Sequence, residues 1–138
     1  MAVARSWSAI VVAGVLGMAI SGCSSGSDTP DATEDPVAAL EAAATEWSES
    51  FYGGDSSEAY DLFTDECKDT FSEDEFKALS DFNQADGATR TLTGVTAQVE
   101  GDRGFADLTY ANADNNDTNM PWVLVDGEWK TSDCTMRE

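Results

Sequence analysis

The chain has 138 residues, of which 27 are Asp or Glu and only 7 are Lys or Arg, so its formal net charge at pH 7 is −20. Such a charge keeps a protein soluble and repels nucleic acids and anionic lipid headgroups, which excludes nucleic-acid-binding functions. The chain also contains no histidine, which excludes every His-dependent catalytic triad. Without histidine the chain also lacks a good set of zinc ligands. We therefore expect no metal and no cofactor.

The N-terminal segment combines one charged residue, an apolar run and a short motif that ends in a cysteine. One positive charge, Arg5, precedes an apolar run from Trp7 to Ile20. As a helix this run spans about 21 Å, too short for a bilayer core of about 30 Å. The run ends in Ile20-Ser21-Gly22-Cys23, which resembles the lipobox of bacterial lipoprotein signal peptides. This resemblance implies cleavage before Cys23 and acylation of its thiol. Two or more acyl chains would anchor the protein stably. A non-lipidated secretory signal and an uncleaved membrane anchor are the alternatives.

Export also bears on the two other cysteines. With Cys23 bonded to lipid, Cys67 and Cys134 remain as an even pair outside the reducing cytosol. We predict that they form a disulfide, which would tie the helical half of the chain to its last strand. In the chain-entropy model a crosslink over this length contributes roughly 4 kcal/mol to the free energy of unfolding. The alternative is a pair of unbonded, buried thiols.

The residues after the lipobox cysteine are predicted to form a flexible tether. They are mainly Ser, Gly, Asp, Thr and Pro, with one Ala and one Glu and without a large apolar side chain, a composition that cannot build a core. A chain of this length has a root-mean-square span of roughly 20 Å. We therefore divide the protein into a signal peptide (1–22), a lipidated tether (23–35) and one folded domain (36–138).

The first half of the domain is predicted to be helical, in three or four pieces that end near Gly87. Asp35 is an N-cap and Pro36 stands at the first helical position. Apolar residues then recur at steps of three and four until Gly53 and Gly54 end the helix. Further helices are predicted from the caps Asp55, Thr64 and Ser72-x-x-Glu75, the last of these followed by the apolar residues Phe76, Leu79 and Phe82.

The second half of the domain changes to the two-residue period of strands. Gly101-Asp102 and Asp126-Gly127 predict two tight hairpins. The first turn pairs Glu100 with Arg103, Val95 with Leu108 and Thr93 with Tyr110; the second pairs Trp122 with Thr131, Val123 with Lys130 and Leu124 with Trp129. Gly94 suggests a β-bulge. Residues 112–119 are predicted to be an exposed loop. Its alternating polar residues lack the glycine and closing glutamate of a calcium loop, so no calcium site is expected.

Helices followed by a four-stranded meander predict an α+β domain, in which N-terminal helices pack on a curved antiparallel sheet. This order resembles the NTF2-like, cystatin-like superfamily, and in particular the small lipoproteins of that fold in actinobacteria. The motifs that carry the resemblance are the Trp47-x-x-x-Phe51 helix, the Ala59-Tyr60 helix leading to Cys67, and the closing hairpin at 122–130. The resemblance covers roughly residues 36–134. It implies a conical pocket enclosed by the helices and the sheet.

Three functions are compatible with this domain. The first is a non-enzymatic binding or accessory module, anchored through Cys23 at the extracytoplasmic face of the cell membrane, with a small apolar ligand or an envelope protein as its partner. The candidate pocket residues are Trp47, Tyr60, Tyr110, Trp122 and Trp129, which could equally fill the core. The second is an isomerase or hydrolase, which needs a carboxylate of perturbed pKa inside the cone. Asp107 is predicted to face away from Tyr110, so no catalytic residue is assigned. The third is a structural envelope protein without a ligand site.

Overall fold

The computed structural model describes residues 35–85 and 90–135. In these ranges the chain forms four α-helices followed by a four-stranded antiparallel sheet, which confirms the predicted α+β arrangement. The signal peptide, Cys23 and Gly87 lie outside the described residues. Among the residues that are described, no helix combines the length and the apolar character needed to cross a bilayer.

The helices begin at the predicted capping residues. α1 (Pro36–Gly53) starts after Asp35, whose carboxylate accepts a hydrogen bond from the amide of Val37, and it ends at Gly54 in the left-handed conformation. The other helices are α2 (Ser56–Asp61), α3 (Asp65–Thr70) and α4 (Glu73–Ala85), and their caps are Asp55, Thr64 and Ser72. Each cap accepts a hydrogen bond from an amide that the first helical turn leaves without a partner.

The apolar stripe predicted for α4 holds for only part of the helix. Ser72 and Glu75 form the two reciprocal hydrogen bonds of a capping box, and Phe76 beyond them is buried. Phe82, however, is 70% exposed. Two steps of three residues carry a side chain about 120° around a helix, so Phe82 has left the face on which Phe76 packs.

The sheet is a meander of four neighbouring strands, β1 (Leu92–Glu100), β2 (Arg103–Tyr110), β3 (Asp117–Val125) and β4 (Glu128–Thr131). Glu100 pairs with Arg103 across the first turn, and Leu124 pairs with Trp129 across the second. The register predicted from the two turn sequences is therefore confirmed next to both turns.

One predicted pair of the first hairpin is wrong. Tyr110 pairs with Leu92 instead of Thr93, because the register shifts between Leu92 and Gly94. Thr93 is the extra residue of this bulge. Its hydroxyl donates to the carbonyl of Thr109, which partly replaces the regular ladder at this point.

The connection between β2 and β3 is shorter than expected. A single turn of 3-10 helix (Ala113–Asn115) leads almost directly into β3, so the predicted loop is wrong in extending to Asn119. The side-chain oxygen of Asn116 accepts a hydrogen bond of 2.8 Å from the amide of Tyr110. The amide side chains of this segment therefore supply hydrogen bonds that keep the turn compact.

The core lies between the inner face of the sheet and the helices, with α1 packed directly on β1 and β2. Close approach depends on Gly104, because a Cβ atom there would lie 2.4 Å from Cδ2 of Leu40. Leu40 itself is fully buried. Below it, Trp122 and Trp129 fill the space between α1 and the last two strands.

The end of the chain is attached to the helical half in two ways. The amide and carbonyl of Thr131 form hydrogen bonds of 2.7 and 3.0 Å with the segment between α2 and α3. Cys67 of α3 is bonded to Cys134, with 4.8 Å between the Cα atoms, which confirms the predicted pairing. β4 ends at Thr131, so the following residues leave the sheet and reach α3.

Candidate functional site

A cavity of about 70 Å³ lies beside α1 and α4, near the end of the sheet. Its apolar wall includes the aromatic rings of Trp47, Phe51, Phe63, Phe71 and Phe76. Its polar lining comprises Tyr52, Asn83, Arg90, Asp117, Asp133 and Thr135. Because Thr135 is exposed, the cavity has a mouth at the protein surface. The lining therefore combines aromatic and polar side chains.

The aromatic wall is interlocked. Trp47 and Phe51 stand one helical turn apart on α1, and their rings stack with centroids 5.3 Å apart. Phe63 meets Phe71 and Phe76 edge to face, at 5.0 and 5.1 Å. Such pairs add stabilisation beyond their buried area and hold each ring in one orientation. The wall is therefore a preformed surface for an apolar group.

Of the five aromatic residues predicted to line a pocket, the structure brings one to this cavity. Trp47 lies on its wall, whereas the described lining does not include the other four. Trp122 and Trp129 are 1% and 3% exposed and belong to the core. These two residues therefore fill the interior, which is the alternative role predicted for them from the sequence.

The two tyrosines have structural partners elsewhere. The hydroxyl of Tyr60 donates to the carbonyl of Phe71 at 3.1 Å. The hydroxyl of Tyr110 lies 2.8 Å from that of Ser48, in the buried contact between β2 and α1. Burial raises the pKa of Tyr110 above the ordinary tyrosine value, so this hydroxyl is neutral at physiological pH. Both hydroxyls tie elements of the fold together.

Asp107, the carboxylate considered for catalysis, lies on the outer face of β2. It accepts a hydrogen bond of 2.7 Å from the amide of Asn119. Tyr110 faces the opposite side, where it is buried. The two residues therefore lie on opposite faces of β2 and do not share a site. This agrees with the predicted register, in which Asp107 faces away from Tyr110.

Arg90 provides the positive charge of the cavity lining, and sequence reasoning did not identify it. Its guanidinium lies over the ring of Tyr52, with the central carbon 4.8 Å from the ring centroid. One terminal nitrogen donates to the Tyr52 hydroxyl at 2.5 Å, and the other donates to the side-chain oxygen of Asn83 at 3.4 Å. Nε is buried and has no hydrogen-bond acceptor among the described residues. A basic residue between the helical half and the first strand is the one sequence signal that could have pointed to it.

Two acidic residues lie on the same lining. Asp117 begins β3, and Asp133 belongs to the segment that the disulfide holds against α3. Each of them has interactions of its own. Neither is joined to Arg90 by an ion pair among the residues that the structure describes.

The described ranges, 35–85 and 90–135, contain no group of three His, Cys, Asp or Glu side chains arranged to hold a metal ion. Comparison with known proteins adds no relative, since no protein family, curated protein or solved structure matches this chain. The function is therefore argued from the geometry of the cavity and from the motifs of the sequence.

Proposed function

We propose that this protein is a non-enzymatic binding module, anchored through a lipidated Cys23 to the extracytoplasmic face of the cell membrane, which holds a small and largely apolar ligand in its cavity. The observation that carries the proposal is the cavity itself, whose lining combines an interlocked aromatic wall with several polar residues. Small-molecule sites are typically apolar clefts in which a few polar groups fix the orientation of the ligand.

The volume of the cavity sets the size of the ligand. At about 70 Å³ it has roughly half the volume of an engineered apolar cavity of about 150 Å³ that takes up benzene. A short aliphatic chain or one edge of a ring would therefore enter the aromatic part, while the remainder of the ligand would stay outside it. The polar residues of the lining are available to contact that remainder.

Two observations support the extracytoplasmic location. The first is the lipobox-like sequence that ends at Cys23. The second is the disulfide between Cys67 and Cys134, because structural disulfides form and persist outside the reducing cytosol. The order of helices followed by a sheet is also compatible with the proposed resemblance to the NTF2-like superfamily, whose helices and sheet enclose a conical pocket.

Binding can be tested with benzamide, a neutral aromatic probe, in an amide NMR titration of the soluble domain from residue 24 onwards. We expect saturable shift changes at residues of α1 and α4 that border the cavity. Leu79→Trp should abolish them, since Leu79 lies on the cavity lining and a larger ring would fill it. Leu124→Trp is the matched control, because Leu124 is 39% exposed and lies outside the described lining. Absence of a saturable change in the wild type would overturn the proposal.

The anchor is tested separately with the full chain expressed in a bacterial host that processes lipoproteins. Wild-type protein should partition into detergent, and mass spectrometry should find a diacylglycerol-modified Cys23 at the mature N-terminus. Cys23→Ala should move the protein to the aqueous phase. Recovery of a wild-type product that begins at Met1 with an unmodified thiol at position 23 would contradict the anchoring part of the proposal.

A further inference from the structure

We infer that the ligand of this cavity is a small organic monoanion, with an apolar body that packs on the aromatic wall and a single carboxylate that Arg90 binds at the mouth. The inference rests on the proposed function, since it names the chemical class of the ligand for the same cavity. It is carried by the arrangement of charges around Arg90.

Arg90 has no acidic ion-pair partner among the residues that the structure describes. Its two terminal nitrogens donate to uncharged acceptors, the hydroxyl of Tyr52 and the side-chain oxygen of Asn83. A guanidinium has five N–H donors, so Nε and one hydrogen on each terminal nitrogen are not taken up by the described residues. Tyr52 and Asn83 therefore orient the guanidinium without neutralising it.

This situation differs from that of the three lysines in the described ranges. Lys68, Lys77 and Lys130 lie within 3.8, 2.7 and 2.9 Å of carboxylate oxygens. Acidic residues outnumber basic ones by 27 to 7 in this chain, yet none of the described acidic residues forms an ion pair with Arg90. A partly buried charge is costly unless an opposite charge or hydrogen bonds compensate it. An anionic ligand would provide that compensation.

The position of Arg90 matches the remaining part of such a ligand. The aromatic wall accepts an apolar group, and Arg90 belongs to the lining of the same cavity. Arginine binds carboxylates strongly because its planar fork can donate two parallel hydrogen bonds. Arg90 contributes one positive charge to the described lining, and a single carboxylate would compensate it. The inferred ligand is therefore a monocarboxylate.

The test compares benzoate with benzamide, which have the same ring and nearly the same shape but differ in charge. Isothermal titration calorimetry of the soluble domain at pH 7 should give a dissociation constant roughly tenfold or more lower for benzoate, the ratio expected of a charged hydrogen bond. Arg90→Gln should reduce this preference to within about twofold, because the affinity for benzoate should fall more than the affinity for benzamide. Arg90→Lys, which keeps the charge but loses the fork, should retain part of the preference.

Arg103→Gln is the matched control, since it removes the same charge from the exposed hairpin opposite Glu100 and should leave the preference intact. Equal affinities for benzoate and benzamide in the wild type would overturn the ligand class and leave the proposed function standing. Binding of neither probe would overturn both. If Arg90→Gln does not fold, as judged by circular dichroism, the wild-type comparison and Arg90→Lys decide the matter. Equal loss of preference in Arg103→Gln would also overturn the role of Arg90, by showing a general effect of charge.

Discussion

Replacing Gly104 by alanine should destabilise the contact between α1 and the sheet. The added Cβ would lie 2.4 Å from Cδ2 of Leu40 and 3.1 Å from the backbone carbonyl of Gln98, whereas carbon atoms in contact are normally about 3.5–4.0 Å apart. Leu40 is fully buried, so it can yield only by displacing neighbours in a close-packed interior. Overpacking of this kind costs about 1–3 kcal/mol. We expect a loss in that range from a total stability of roughly 5–15 kcal/mol.

Gly53→Ala is the matched control for this prediction. Gly53 is the last residue of α1, and an added Cβ there would meet nothing within 4 Å. Because alanine restricts the unfolded chain and favours helix, this variant should be neutral or more stable by up to about 1 kcal/mol. Urea unfolding followed by circular dichroism measures both free energies, with the slope expected to stay unchanged. If Gly104→Ala proves as stable as Gly53→Ala, the close approach of α1 to β2 described here is incorrect.

Three further predictions concern the disulfide and two titrating groups. Replacing both disulfide cysteines by serine should lower the free energy of urea unfolding by about 2–5 kcal/mol, and a loss below about 1 kcal/mol would contradict the crosslink. Tyr110→Phe leaves the buried Ser48 hydroxyl without its partner and should cost about 1–3 kcal/mol at pH 7. Because burial raises the pKa of Tyr110, wild-type stability should fall as the pH rises above about 10, and melting curves of Tyr110→Phe should show a smaller fall. Hydrogen bonds from the amide and hydroxyl of Ser72 lower the pKa of Glu75. Its contribution to stability is therefore present above about pH 4.3 and is lost as the pH falls through the lowered value. Glu75→Gln should make melting temperatures less dependent on pH in that acidic range, and an unchanged dependence would argue against the capping box.

The features that the sequence predicts correctly are those set by neighbouring residues. The cap at Asp35 and the end of α1 at Gly54 follow from backbone groups within a few positions. The register beside Asp126-Gly127 follows from the turn, because a two-residue connection leaves one way to align the flanking strands. These rules needed no knowledge of the rest of the molecule.

The features that the sequence does not predict depend on contacts between distant residues. The periodicity of a strand or helix shows which residues face inward, but it does not show which of them line the same cavity. For this reason the sequence does not distinguish Trp122, which fills the core, from Trp47, which is buried and also lines the cavity. Arg90 acquires its role only when α1 brings Tyr52 beneath it and α4 brings Asn83 beside it. Those two partners precede it by 38 and 7 positions, and no local rule relates the three.

The disulfide also fixes part of the cavity lining. Asp133 and Thr135, which belong to that lining, flank Cys134. A backbone hydrogen bond from Ser132 to the carbonyl of Pro121 holds the same segment to the sheet. Reduction of the bond would remove the covalent link that holds these two lining residues against α3, whereas Trp47, Phe51 and Phe76 are placed by α1 and α4.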